Sequence, residues 1–205
     1  MVKTLIVAAT EGEINGLRLN LINKAEYGFL VTGIGMVNTT YALTKQLVES
    51  ELPVRIINVG IAGAFNPQIE IGQVVQVVKD RFSELGAEDN DSFLKADEMQ
   101  LIGKEQLEFE SSKKLSELTQ ASGITVNTIH GEKQSIAMAV QRYNADVESM
   151  EGAAVAFVAQ QFDCEWIQVR SISNYVEPRN KNNWNVPLAL ENLTSAVTQL
   201  INSAL

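Results

Sequence analysis

The chain has one cysteine and one histidine among its 205 residues. Cys164 alone closes no internal disulfide and His130 alone builds no His-rich zinc site, so disulfide-stapled and His-rich metal frameworks are excluded. Positive charge is scarce as well: 16 Lys plus Arg stand against 25 Asp plus Glu, a formal charge of -9. Such a field repels phosphate backbones and anionic lipid surfaces, which argues against nucleic-acid and membrane partners. No run reaches the roughly 18 consecutive apolar residues of a membrane span. The N-terminal apolar run ends at Thr10-Glu11-Gly12-Glu13, short of a signal peptide, so a cytoplasmic protein is expected. Also missing are a complete G-x-G-x-x-G and a G-x-x-x-x-G-K-[ST], and with them the fingerprints of dinucleotide and P-loop sites.

What is present is the composition of a folded domain, 45% hydrophobic and 20% charged, and its length suits a single domain over 1–205. Short Val- and Ile-rich runs alternate with stretches of helical period, the pattern of an α/β domain with a largely parallel sheet. Strands are expected at Leu5 to Ala9, Phe29 to Thr32, Arg55 to Val59, Gln73 to Val78, Thr125 to Ile129 and Trp166 to Ser171. Helices are expected at Glu11 to Asn20, Val37 to Ser50, Ser112 to Ala121, Ser135 to Tyr143, Gly152 to Phe162 and Pro187 to Leu205. From Lys79 to Glu110 the periodicity fades and acidic residues crowd. That stretch is a surface excursion, either a lid, an oligomer contact or a solvated acidic loop.

Two glycine segments, Gly33-Ile34-Gly35 and Gly60-Ile61-Ala62-Gly63, follow expected strands. Each is a turn that either admits a ligand close to the backbone or only redirects the chain. Glu13 falls just past the first strand, where α/β sheets place ligands, although a first-turn glutamate also complements a helix dipole. In Glu148-Ser149-Met150-Glu151-Gly152-Ala153-Ala154, acidic residues precede a helix of small apolar residues. A carboxylate against so tight a wall can accept from both hydroxyls of a sugar diol, or can serve as a helix cap.

In this order, the segments resemble the purine nucleoside phosphorylase and hydrolase superfamily over nearly the whole chain. Ala9-Thr10-Glu11-Gly12-Glu13 resembles the segment carrying the water-activating glutamate of methylthioadenosine and adenosylhomocysteine nucleosidases. Gly33-Ile34-Gly35 and Asn58-Val59-Gly60-Ile61-Ala62-Gly63-Ala64 resemble their glycine turns, and Ser149-Met150-Glu151-Gly152 their ribose-binding segment. Val169-Arg170-Ser171-Ile172-Ser173-Asn174 resembles the strand that carries the purine-binding acid. The resemblance implies a three-layer fold with a central mixed, largely parallel twisted sheet flanked by helices, a homo-oligomer, and chemistry without a cofactor or metal.

Two departures matter: Asn174 stands where the adenosine-type enzymes have Asp, and Ile61 where they have Ser. The segment Tyr175 to Pro187, with Pro178-Arg179, Trp184 and Pro187, is similar to the futalosine hydrolases, which free hypoxanthine from futalosine in menaquinone biosynthesis. On this resemblance Glu13 is the general base, Glu151 holds the ribose hydroxyls, and Asn174 hydrogen-bonds the leaving base. Gly35, Ala62, Gly63, Met150 and Ser173 complete the nucleoside site. Two amide hydrogens on Asn174 match the N7 and O6 acceptors of hypoxanthine, while its oxygen could also receive adenine's amino hydrogen. Arg179 is the first choice to anchor the substrate's far carboxylate, with Lys181 or Arg170 behind it. Ile57-Asn58 replaces the arginine of related phosphorylases, which favours water over phosphate as nucleophile. An adenine-releasing nucleosidase of the methylthioadenosine or aminodeoxyfutalosine type and a non-catalytic purine-binding protein are the alternatives. His130 and Cys164 are set aside, the first as a surface or satisfied polar residue and the second as a small buried thiol.

Overall fold

The computed structural model describes residues 2–90 and 92–203; Met1, Asp91 of the expected excursion, and Ala204 and Leu205 of the expected last helix lie outside the described residues. Thr4–Ala8 (β1) is buried along its length and alternates between two helical layers. Leu5 and Val7 pack against Met36–Glu49 (α2) and Gly152–Gln161 (α4). Ile6 and Ala8 face Glu11–Asn20 (α1) and Val186–Asn202 (α5). A sheet covered on both sides needs such strands, apolar on both faces. β1 lies between Tyr27–Val31 (β2) and Arg55–Ala64 (β3) and pairs parallel with both.

β3 is twice the expected strand. Its first half pairs with β1, whereas its last residues, Gly63 and Ala64, pair antiparallel with Val147–Ser149 (β9). The second glycine segment is therefore strand, not turn. Gly60 is bare because an added Cβ would stand 2.8 Å from both Arg170 Nη1 and Glu13 Oε1. Glu165–Tyr175 (β10) runs parallel to β3 and antiparallel to Val74–Arg81 (β4); Thr119–Thr125 (β8) lies between β4 and β9. The pairings β3, β10, β4, β8, β9 and back to β3 close the sheet on itself, with β1 and β2 extending from it.

The expected helix at Ser112 to Ala121 and strand at Thr125 to Ile129 are not found. Residues 119–125 are β8, and 126–129 form a loop. Buried Gln76 explains the first difference: its Nε2 donates to Lys113 O at 2.6 Å and its Oε1 accepts from Leu115 N at 2.7 Å. Side-chain capture of these backbone groups competes with helix formation.

The excursion is partly structured. Residues 79–81 belong to β4, Gly86–Asp89 (β5) and Ser92–Lys95 (β6) form a separate hairpin, and Glu108–Glu110 (β7) returns antiparallel to β4. The Arg142 guanidinium, from Lys133–Tyr143 (α3), lies over the Phe93 ring at 4.2 Å and ties the hairpin to the body.

Candidate active site

The point where β3 exchanges β1 for β9 is a topological break of the kind at which α/β sheets open a crevice. A cavity of about 330 Å³ lies there, bounded by Glu13, Met150, Glu151, Ser173, Asn174 and Trp184. Ala62 and Gly63 of β3 also line it.

Glu13 enters from the first turn of α1. Its Oε2 accepts from Thr10 N at 3.0 Å and Thr10 Oγ1 at 2.8 Å, and its Oε1 accepts from Ile61 N at 3.1 Å. Helix capping and site placement are thus the work of one side chain. Gly35, in the left-handed region at φ 89°, is the residue before α2, and its N–H donates to Glu151 Oε1 at 3.0 Å. Burial pushes the Glu151 carboxyl above the usual range. The Arg170 charge and the Gly35 N–H act against this, and the Glu13 charge acts with it.

Arg170 is 1% exposed and stands opposite Gly60 in the β3–β10 pairing, with its Nη1 and Glu13 Oε1 each 2.8 Å from where a Gly60 Cβ would be. Its Nη2 donates to Asn58 Oδ1, and Asn58 Nδ2 donates to Val7 O at 3.1 Å. Enclosure at that depth excludes Arg170 as a surface anchor for a substrate carboxylate. Its charge works against the burial that raises the Glu151 carboxyl. A charged residue inside the apolar run Trp166 to Ile172 was the available signal that it had a buried partner.

A β-bulge shifts the β10 register between Ile172 and Asn174, where Ser173 is the extra residue. Bulges re-aim side chains. Ser173 Oγ donates to Asn174 Oδ1 at 2.7 Å and Asn174 Nδ2 donates to Tyr175 O at 2.9 Å. One of the two amide hydrogens expected to face a base is therefore already engaged, leaving one.

Arg179 does not line the main cavity. It borders an adjoining one of about 30 Å³ with His130, Glu148, Asn174 and Trp184, and its guanidinium lies over the Trp184 ring at 5.2 Å. Lys181 is exposed in a short 3-10 turn. Phe65 packs edge-on to His130 at 6.0 Å in a core cluster. His130, set aside on sequence, borders the site and holds buried Glu148: Oε1 accepts from His130 N at 3.0 Å, and Oε2 lies 2.6 Å from Nδ1. A single histidine without a motif gave no sign of this contact across 18 residues of chain.

Residues 12–203 match the family model described as Phosphorylase superfamily. The chain is 29% identical over 152 residues to the futalosine hydrolase of Streptomyces coelicolor, covering 71% of this chain and 64% of that protein, just under two thirds of its length. It is 30% identical over 169 residues to the 5'-methylthioadenosine/S-adenosylhomocysteine nucleosidase of Maridesulfovibrio salexigens, covering 76% of this chain and 71% of that one. The fold superposes on the native structure of futalosine hydrolase of Helicobacter pylori with TM-score 0.82 at 16% identity, covering 98% of each chain. A family match over nearly all of the chain, together with this fold and the expected order of elements around the crevice, makes the protein a member of the phosphorylase superfamily.

Proposed function

We propose that the protein is a purine N-glycosyl hydrolase whose substrate is futalosine, yielding hypoxanthine and dehypoxanthinyl futalosine in menaquinone biosynthesis. The observation that carries this reading is the grouping of Glu13 and Glu151 on one cavity near buried Arg170, with Asn174 rather than Asp on the same cavity. Relatives named for futalosine and for methylthioadenosine match at similar identity, so the preference for futalosine rests on Asn174 and not on overall likeness.

Cleavage separates charge: the ribose becomes cationic as the C1'–N9 electron pair leaves with the base. Glu151 accepts from the ribose hydroxyls and favours that cation, and Glu13 takes a proton from the water attacking C1'. The remaining Asn174 N–H donates to the base as negative charge grows on it. The Arg170 charge nearby favours the ionised form of Glu151. Arg179, stacked on Trp184, braces the wall beside Asn174, while among the described residues no cation lines the main cavity to receive the far carboxylate. Exposed Val37, Tyr41 and Val48 on α2 support a homo-oligomer, with a second copy covering this apolar face.

The test is chromatography of products from futalosine, aminodeoxyfutalosine and methylthioadenosine, with and without phosphate. Hypoxanthine from futalosine without phosphate is expected. Adenine release alone refutes the futalosine assignment, and phosphate-dependent cleavage refutes hydrolysis.

A further inference from the structure

Glu151 is the N-cap residue of α4, yet its side chain makes no cap hydrogen bond. A side chain at that position ordinarily accepts from the second or third helical N–H. Glu132, the N-cap of α3, does so: its Oε2 accepts from Gln134 N at 2.9 Å and from Ser135 N at 3.0 Å. Glu132 holds the extended backbone of a capping residue, φ -125° and ψ 138°, whereas Glu151 stands at φ -131° and ψ -26°. The second N–H of α4, on Ala153, donates instead to Thr125 Oγ1 of β8 at 2.8 Å. Thr125 is fully buried, and its one hydroxyl hydrogen goes to Asp80 Oδ1 of β4 at 3.0 Å. Arg81 N donates to the same oxygen at 2.7 Å and fixes the carboxylate. With its hydrogen committed to Asp80, the hydroxyl turns a lone pair toward Ala153. Gly152, the first residue of α4, is bare because a Cβ there would collide with Asp80 Oδ2 and the Gln168 amide, so the Asp80 carboxylate lies against the helix start. Hydrogen bond and negative charge, both ordinarily supplied by an acidic N-cap residue, thus come to α4 from β8 and β4.

We propose that Thr125, aligned by Asp80, caps α4 in place of Glu151 and so leaves the Glu151 carboxylate free for the ribose hydroxyls. This rests on the nucleosidase reading above. Thr125 and Asp80 are positioning residues, acting on substrate only through Glu151. Without the hydroxyl the buried Ala153 N–H lacks its acceptor, and Glu151, two residues before it, is drawn to cap the helix at the expense of its bond to Gly35 N and its place in the cavity.

The test is the ratio of kcat/KM for a ribonucleoside to that for its 2'-deoxy counterpart in wild type, Thr125→Val, Thr125→Ser and Asp80→Ala, using whichever of futalosine and methylthioadenosine wild type cleaves. Recognition of the hydroxyls by a carboxylate should favour the ribonucleoside about tenfold or more in wild type. Thr125→Val is isosteric but neither donates nor accepts, and it should bring the ratio close to one, mainly through loss of ribonucleoside turnover. Thr125→Ser keeps the hydroxyl and should restore the ratio. A role confined to packing would lower both substrates alike. That result, a wild-type ratio near one, or a ratio that Thr125→Val leaves unchanged overturns the proposal, while cleavage by wild type keeps the nucleosidase reading standing. Should Thr125→Val fail to fold, Asp80→Ala decides: it removes the acceptor that aligns the hydroxyl, so the ratio should fall by a smaller factor, and an unchanged ratio overturns the proposal. Cleavage of neither ribonucleoside by wild type refutes the nucleosidase reading and the proposal with it.

Discussion

Adding one methyl group at Gly60 should impair catalysis far more than folding. The built Cβ lies 2.8 Å from Glu13 Oε1 and 2.8 Å from Arg170 Nη1, closer than a carbon tolerates, so both groups must move several tenths of an ångström. Neither has free space. Glu13 is tied to Thr10 and Ile61, and Arg170 is enclosed at 1% exposure and fastened to Asn58. Overpacking of this kind costs about 1–3 kcal/mol, which for a chain of this length lowers Tm by roughly 2–4 °C per kcal/mol. Displacement of the proposed general base and its neighbouring cation by up to an ångström costs on the order of 10²-fold in rate. The expected result for Gly60→Ala is therefore a moderate fall in Tm with a loss of kcat/KM of about two orders of magnitude. Gly12→Ala is the control: its Cβ would meet nothing nearer than 3.8 Å, and alanine inside α1 should stabilise by up to about 1 kcal/mol with full activity. Wild-type kcat/KM in Gly60→Ala would refute the close Glu13–Arg170 geometry as a requirement.

Glu13→Gln should lower kcat by roughly 10²–10⁴ and cost about 1 kcal/mol through the weakened Thr10 cap, measured by steady-state kinetics and thermal melts; near-normal kcat would remove it as the base. Asn174→Asp should shift base release from hypoxanthine toward adenine by about tenfold or more, read from competing nucleosides, and an unchanged ratio would detach specificity from this residue. Asp80, fully buried, has its carboxyl raised from 3.8 to about 6, with burial the largest cause. The native state then binds the proton more tightly than the unfolded chain, so stability is greatest at low pH and falls as pH rises from about 4 to 6, by at most about 3 kcal/mol. Urea melts at pH 4.5 and 7 should show that fall in wild type and a flatter profile in Asp80→Asn; identical profiles would show that Asp80 does not titrate in this window.

Local signals and long-range contacts divide what was legible in the sequence from what was not. Helix α1 falls at Glu11–Asn20 as expected because Thr10 and Glu13 supply a start within four residues of one another. The stretch after Ser112 carries helical spacing too, yet Gln76, 37 residues upstream, captures the Lys113 carbonyl and the strand wins. The same distinction governs glycine. At Gly35 the positive φ is a property of the residue itself, and the turn was readable. At Gly60 the missing Cβ answers to Glu13 and Arg170, 47 residues before and 110 after, so a strand glycine was mistaken for a turn. In the site, Glu13, Glu151 and Asn174 stood out because each lies in a short segment of recognisable order, and the crevice brings them together. Arg170 was read only as a second-choice anchor and Glu148 was given no role, since their places are set by what closes over them. A residue that can be buried only with a partner is specified by the partner, and the partner here is set by the point at which β3 changes neighbours. The break in sheet pairing therefore does two things at once: it opens the crevice, and it supplies from β9 and β10 the buried carboxylate and guanidinium that give the crevice its charge pattern.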